Sequence, residues 1–163
     1  MTPEALAALH ARAFTRTPRP WSAGEFADLL ALPSTELVLP PEPRPGGPEG
    51  RGGPPLDGFA LGQIAGPEAT LLTLAVDPDR RRRGLGRALL RTLEARAAGR
   101  GAEEMFLEVA ADNDAAQALY AALGYRLAGT RPRYYLRAGR SPVDALVLRR
   151  DLCATVNQSG KAD

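Results

Sequence analysis

The chain has 163 residues, 44% of them hydrophobic, and its 21 Lys and Arg against 19 Asp and Glu leave a formal charge of +2. That length and apolar content suit one compact core and little more, and the single cysteine excludes an internal disulfide. No stretch approaches the length of a membrane span, and one histidine with one cysteine cannot furnish a zinc or iron ligand set, so neither a membrane nor a metal is expected.

In chain order, Pro3 to Phe14 carries Leu6, Leu9 and Ala13 at helical spacing. Ser22 followed three residues later by Glu25 predicts a capping box opening a second helix through Leu30. Glu36–Leu39 and Phe59–Ala65 read as strands. Between them, residues 40–55 hold twelve prolines and glycines in sixteen positions, a composition that builds no core and is expected to form a disordered insertion. Thr70–Val76 and Met105–Ala110 are apolar strands flanking a helix from about Leu85 to Ala98, whose Leu85, Leu89 and Leu93 share one face; together they predict a βαβ unit. Asp112 or Asn113 caps the next helix and Gly124 ends it. Tyr125–Thr130 and Asp144–Leu148 then supply a final antiparallel pair, and the polar tail from residue 153 to 163 is expected to be disordered.

Val76-Asp77-Pro78-Asp79-Arg80-Arg81-Arg82-Arg83-Gly84-Leu85-Gly86-Arg87 is the most informative stretch: an apolar strand runs into a basic glycine turn that opens an amphipathic helix. Two glycines let the backbone approach an anion closely, and free amides at a helix N-terminus together with arginines supply donors and charge, as a pyrophosphate needs. No Gly-Lys-Ser/Thr follows, so the turn is not a P-loop. Gly84 and Gly86 lack the third glycine of the dinucleotide fingerprint. Because the basic excess is concentrated in Arg80–Arg83, it argues for one local anion site and against a nucleic-acid surface.

Downstream come Leu107-Glu108-Val109 ending a strand, then Asn113, then Ala118-Leu119-Tyr120-Ala121-Ala122-Leu123-Gly124-Tyr125. With the Arg81–Gly86 turn, these phrases resemble the GNAT N-acetyltransferase superfamily over roughly residues 3–152. Ala75-Val76-Asp77-Pro78, Gly84-Leu85-Gly86-Arg87-Ala88-Leu89-Leu90 and Arg133-Tyr134-Tyr135 are similar to its RimI-type branch, which acetylates the N-terminal alanine of small-subunit ribosomal protein number eighteen. The resemblance implies an α/β (α+β) GNAT fold: a mixed, mostly antiparallel sheet flanked by helices, its two central parallel strands splayed at their C-terminal ends. That fold ordinarily begins with a strand. Here only Met1 and Thr2 precede the first helix, so either the sheet is one strand short at that edge or the chain starts further upstream.

The resemblance also implies a cofactor, acetyl-CoA, and a set of roles. The backbone of Arg82, Arg83, Gly84, Leu85, Gly86 and Arg87 would cradle its diphosphate. Leu74, Ala75 and Val76 would hold the acetyl carbonyl and pantetheine, and Asn113 would bond near the thiol arm. Glu108 would take the amine proton as base, Tyr120 would protonate the departing thiolate, and Tyr134 and Tyr135 would line the groove for a protein N-terminus from the loop between the last strands. A tight wall around the first residue of the substrate is expected from Trp21–Phe26. The partner is then a protein N-terminus, a ribosomal one, met by a cytoplasmic monomer without nucleic acid or membrane.

The chemistry is consistent with an α-amine, whose pKa of about 7.7–8.0 leaves about one-tenth of it neutral at pH 7, against under ~0.1% for a lysine side chain. Read without the resemblance, each residue has a plainer use. Glu108 serves equally as an edge-strand carboxylate facing water, Tyr120 as a core aromatic, and Arg80–Arg83 as a solvated charge run. Tyr134 and Tyr135 could be packed or exposed aromatics. His10 has no partner in view and reads as surface or half-buried, and Trp21 as a staple or core anchor. Two other activities share the pattern: acetylation of a small-molecule amine such as a polyamine or aminoglycoside, and non-catalytic acyl-CoA binding.

Overall fold

The structure, a computed structural model, describes residues 1–15, 19–41, 56–137 and 139–153. The expected disordered insertion therefore lies outside the described residues except for Pro40 and Pro41, and the expected disordered tail does so except for Cys153.

Helix α1 (Pro3–Ala13) starts where Thr2 accepts from the Ala5 amide and Pro3 occupies the first turn. Helix α2 (Ala23–Leu30) starts on the reciprocal Ser22–Glu25 pair that its sequence predicts. Strands β1 (Thr35–Val38), β2 (Gly58–Ala65) and β3 (Glu68–Val76) form an antiparallel meander. A turn through Pro78–Arg80 leads into α3 (Leu85–Gly99), which returns the chain to β4 (Glu104–Ala110), parallel to β3. Helix α4 (Asp114–Ala122), capped by Asn113, and the hairpin β5 (Arg126–Arg137) and β6 (Arg140–Asp151) complete a six-stranded sheet ordered β1-β2-β3-β4-β6-β5. Among the described residues no strand precedes α1.

Helices cover both faces, so two cores form. On one face Leu89, Leu90, Leu93 and Ala97 of α3 pack with Tyr120 and Leu123 against Ala60, Ala69, Leu71, Met105 and Leu107. On the other, Leu6 and Leu9 of α1 and Phe26 of α2 pack on Phe59, Leu61 and Ala75. Alternation along each strand deals side chains to the two cores in turn. Gly62 explains how closely α3 sits: a Cβ there would lie 3.0 Å from the Leu93 side chain and 3.0 Å from the Thr70 carbonyl oxygen.

The last two strands are about twice as long as their sequence suggests, and Tyr134 and Tyr135 lie in β5 rather than in a loop. Burial is the reason. β5 is an edge strand whose side chains are mostly exposed, so backbone pairing with β6 makes it a strand without an apolar alternation to reveal it. Its register slips around Pro132: Arg131 faces Ala145 but Tyr135 faces Val143, with Arg133 at φ 55° and its amide bound to the Asp144 carboxylate at 2.7 Å.

Candidate active site

The central strands part as expected. β3 and β4 pair only from Glu68↔Glu104 to Leu71↔Leu107, although β3 runs on to Val76 and β4 to Ala110. Beyond Leu71, β3 keeps its partner β2, and β4 keeps β6 up to Ala110↔Ala145, so a wedge opens between two otherwise intact half-sheets. The cause lies in the sequence register. β2 pairs Leu61 with Thr73 but Gly62 with Leu71, leaving Leu72 as an extra residue in β3. A bulge of this kind bends its strand, and this one sits where the β3–β4 ladder ends. It also reverses the faces: Ala69 and Leu71 enter the α3/α4 core, whereas Thr73 and Ala75 turn toward α1 and α2.

At the open end of the wedge the glycine turn takes its shape from backbone. Gly84 is the N-cap of α3 with φ 77° and offers no side chain to the first amides of the helix, and Arg82 has φ 64°. Two left-handed residues so close together turn successive N–H groups to one side. A Cβ on Gly84 would meet no protein atom within 4 Å, so this position requires glycine for its φ rather than for room. At Gly86 a Cβ would touch Val76, Leu119 and Leu74 at 3.6–3.8 Å, ordinary contact. The four arginines divide. Arg80 pairs with Asp57, and Arg81 donates to the Ala13 carbonyl at 2.9 Å, tying the turn to the C-terminus of α1. Among the described residues Arg82 and Arg83 form no hydrogen bond or ion pair, and both are exposed beside the turn.

Inside the wedge is a cleft of about 110 Å³ lined by Leu74, Glu108, Asn113, Tyr120 and Tyr135, with His10, Phe14, Trp21 and Thr73 on its α1 side. Five of the residues singled out from the sequence thus converge there. Glu108 lies on β4 with the parity opposite to Leu107 and Val109, which enter the α3/α4 core, so it faces the α1 side. It pairs with Arg131 of β5 at 2.8 Å. Tyr120 enters from the other face on α4, buried against Tyr125 in an edge-on contact at 5.8 Å. Burial, and after it the neighbouring Tyr135, raises its pKa, so its hydroxyl remains protonated at any working pH. The Tyr135 hydroxyl is pushed up to about 12 by burial and then by Glu108 and Tyr134. Asn113, which lines the cleft, spends its Oδ1 on the Ala116 amide as the α4 cap, and its NH₂ group has no hydrogen-bond partner among the described residues.

Tyr134 stands at the rim rather than inside, 47% exposed, its ring edge-on to Tyr135 at 5.2 Å and overlaid by the Arg131 guanidinium at 5.5 Å. Of the expected wall, Trp21 lines the cleft, but Phe26 is wholly buried behind it, in T-shaped contact with Phe59. His10 corrects its sequence reading outright. It is fully buried, its Nδ1 accepting from the Trp21 amide and its Nε2 lying 3.2 Å from Thr73 Oγ1. Burial lowers its pKa to about 4. Thr73 and Arg131 carried no local signal, because both reach the cleft only through register shifts in β3 and β5. Among the described residues no group of His, Cys, Asp and Glu could hold a metal ion, and no helix is long and apolar enough to cross a membrane.

A mixed sheet parted between two parallel strands, above a helix that opens on an uncapped glycine turn, is the arrangement of the GNAT fold, and the chain belongs to the GNAT acetyltransferase family. The profile described as Acetyltransferase (GNAT) family matches residues 50–125. Among relatives, the N-alpha-acetyltransferase RimI of Mycobacterium tuberculosis is 38% identical over 136 residues, covering 81% of this chain and 76% of that one. The ribosomal protein bS18-alanine N-acetyltransferase of Escherichia coli K12 is 51% identical over 77 residues, 47% of this chain; the match spans about half the length of that relative, 52%. The crystal structure of the ribosomal-protein-S18-alanine N-acetyltransferase from Escherichia coli superposes with a TM-score of 0.75 at 32% identity, covering 92% of this chain and 87% of that one.

Proposed function

We propose that the chain transfers an acetyl group from acetyl-CoA to the N-terminal α-amine of a protein, with the N-terminal alanine of the small-subunit ribosomal protein bS18 as first candidate. The observation that carries this reading is the cleft through the sheet, which holds a carboxylate on one face and a protonated phenol on the other. The residues present suit the cofactor. The uncapped amides of α3 and the left-handed pair Arg82 and Gly84 fit a diphosphate, and the β4-facing edge of Leu74, Ala75 and Val76, which lacks a strand partner, fits an amide-bearing arm. When bound, acetyl-CoA supplies the acetyl thioester.

Glu108 takes the proton as the α-amine nitrogen forms its bond to the acetyl carbon, Arg131 holding that carboxylate in place. As the carbon–sulfur bond breaks, Tyr120 meets the departing sulfur as an O–H donor, from the face where the α3 cradle lies. Asn113 offers its NH₂ group to the arm, and Tyr134 and Tyr135, from β5, border the path of the peptide. Because an α-amine is already partly neutral near pH 7, one carboxylate suffices as base, whereas a lysine side chain would arrive protonated.

The test is a panel of acceptors with purified protein and acetyl-CoA, read by mass spectrometry: a peptide beginning Ala-Arg, the same peptide with its α-amine blocked and a lysine added, spermidine and an aminoglycoside. The expected result is a single acetyl on the α-amine of the first peptide. Faster turnover of spermidine or the aminoglycoside, with Tyr134→Phe/Tyr135→Phe leaving peptide turnover unchanged, overturns the reading in favour of a small-molecule enzyme.

A further inference from the structure

The buried pair His10 and Thr73 is explained neither by the family motif nor by the acid and base roles. His10 sits on α1 with 0% exposure, and burying an imidazole there has a cost that only satisfied nitrogens offset. Both are satisfied, and in a fixed sense. Nδ1 faces the backbone N–H of Trp21 at 3.2 Å, a group that can only donate, so Nδ1 accepts and the proton resides on Nε2. Nε2 therefore donates to Thr73 Oγ1 at 3.2 Å. Stacking on Trp21 at 5.2 Å, a tilted contact with Phe14 at 4.4 Å and an edge-on contact with Phe26 at 5.6 Å hold the ring in that plane. With a pKa near 4 the imidazole is neutral wherever the protein works, and the tautomer does not change.

Thr73 is then constrained in turn. Its oxygen receives the His10 proton, so its own O–H must point elsewhere, and among the described residues it has no acceptor. The residue is 7% exposed and the surface it shows is the cleft wall. A hydroxyl proton is thus held ready, nine-tenths buried, on the α1 side of the wedge. Glu108 faces that same side from β4, while the cradle at Gly84 and the acid Tyr120 belong to the α3/α4 side. What takes a proton donor beside the base is limited by chemistry. An ammonium has no lone pair, and a neutral amine needs its only lone pair for attack. The oxygen two carbons removed from that amine, the carbonyl of the first residue of a peptide, has two lone pairs to spare.

We propose that Thr73, oriented by His10, is a positioning residue that donates a hydrogen bond to the first carbonyl oxygen of the acceptor peptide and so aims its α-amine at the acetyl carbon. This rests on the peptide reading of the function. It gives that reading a chemical basis for preferring an N-terminus over a free alkyl amine, which has no such oxygen to offer.

The experiment compares two acceptors, an Ala-Arg peptide and its isostere with a trans-alkene in place of the first amide, on four proteins: wild type, Thr73→Val, Thr73→Ser and His10→Phe. Valine keeps the shape of threonine and removes only the hydroxyl; thermal melts check folding, and Thr73→Ala stands in should valine fail to fold. The expected result is a loss of about 3- to 10-fold in kcat/KM for the peptide in Thr73→Val, the span of one hydrogen bond, with no loss for the alkene isostere. Thr73→Ser restores peptide turnover, His10→Phe loses part of it, and acetyl-CoA affinity is the same in all four. Equal losses on both acceptors, or no loss on the peptide, overturn the proposal while leaving the peptide activity standing. If wild type acetylates spermidine but neither peptide, the peptide reading itself fails and the proposal falls with it.

Discussion

The two parts of the cleft are made of different material. The proposed anion cradle at Arg82–Gly86 is backbone: the donors it offers are amides, its shape is set by two positive φ angles, and the arginine side chains around it are exposed. The part proposed to act on the amine and the thioester is side chain: Glu108, Tyr120 and Tyr135 are brought from three elements, and each is held by its neighbours. The first kind of site tolerates changes of side chain and fails when the backbone cannot adopt its angle. The second fails when a single functional group is lost and accepts small changes in the strands that carry it.

Changes to the side-chain part should have the largest effects. Glu108→Gln should lower kcat by about 10²- to 10⁴-fold near pH 7 and recover partly toward pH 9, where the α-amine sheds its proton unaided. Tyr120→Phe should lose a similar amount without recovering. Steady-state pH profiles of the two variants check this, and superimposable profiles would dissolve the distinction between base and acid. Next comes the backbone part. Gly84→Val forces a β-branched residue to φ 77°, a strain of about 1–3 kcal/mol, and should weaken acetyl-CoA binding by roughly 10- to 100-fold in calorimetric titration. Arg82→Ala and Arg83→Ala should each cost only a few-fold. Gly86→Ala should cost less than any change at Gly84, since its Cβ meets apolar atoms at ordinary distances. An arginine variant weaker than Gly84→Val would show that charge, not backbone, holds the anion.

Smaller effects sharpen the contrast on the α1 side of the cleft. The folded pKa of His10 is about 4 against 6.5 for the free side chain, lowered by burial and partly offset by Glu25, so only the unfolded chain takes up its proton between those values. Stability contributed by the neutral ring is complete above pH 6.5 and is lost as pH falls toward 4. Melting temperatures across that window should decline in wild type and decline less in His10→Gln. Glu25, held down to about 2 by Arg19 and then Ser22, adds its own loss only below about pH 4.5. Smallest of all, Ser22→Ala should remove about 1 kcal/mol by uncapping α2, a shift of a few degrees in Tm with acetyl-CoA affinity unchanged.

Much of this was legible in the sequence because it is local. The helix caps at Ser22 and Asn113, the leucine face of α3, the glycine turn and the central parallel strands are each written in consecutive residues. The phrases around Glu108 and Tyr120 led to residues that share one cleft. What stayed illegible depends on register and on contacts far apart in the chain. The full length of β5 and β6, the Arg131–Glu108 pair and the inward turn of Thr73 follow from unequal residue counts on paired strands, which no single strand displays. His10 was misread for a similar reason. Its partners are Thr73, 63 positions away, and the Trp21 amide, and a polar residue on a short amphipathic helix looks like surface until those partners are in place. The buried Glu94 likewise finds partners far along the chain, in Arg150 at 2.5 Å and the Tyr125 hydroxyl at 2.9 Å.

Leu72 makes the chemistry of this protein a question of counting. A pleated strand keeps time in twos, and the surplus beat at Leu72 sets Thr73 on the face opposite Leu71, where unbroken alternation would have kept the two together. Shortening the strand by that one residue would leave Thr73 and Ala75 facing α1 and Leu74 and Val76 facing α3, as they do now, yet take out the bend and let β3 keep step with β4 past Leu107. Such a deletion is expected to give a folded protein without an opening. Substitutions at the same place, Leu72→Val or Leu72→Ile, would preserve the beat and with it the opening.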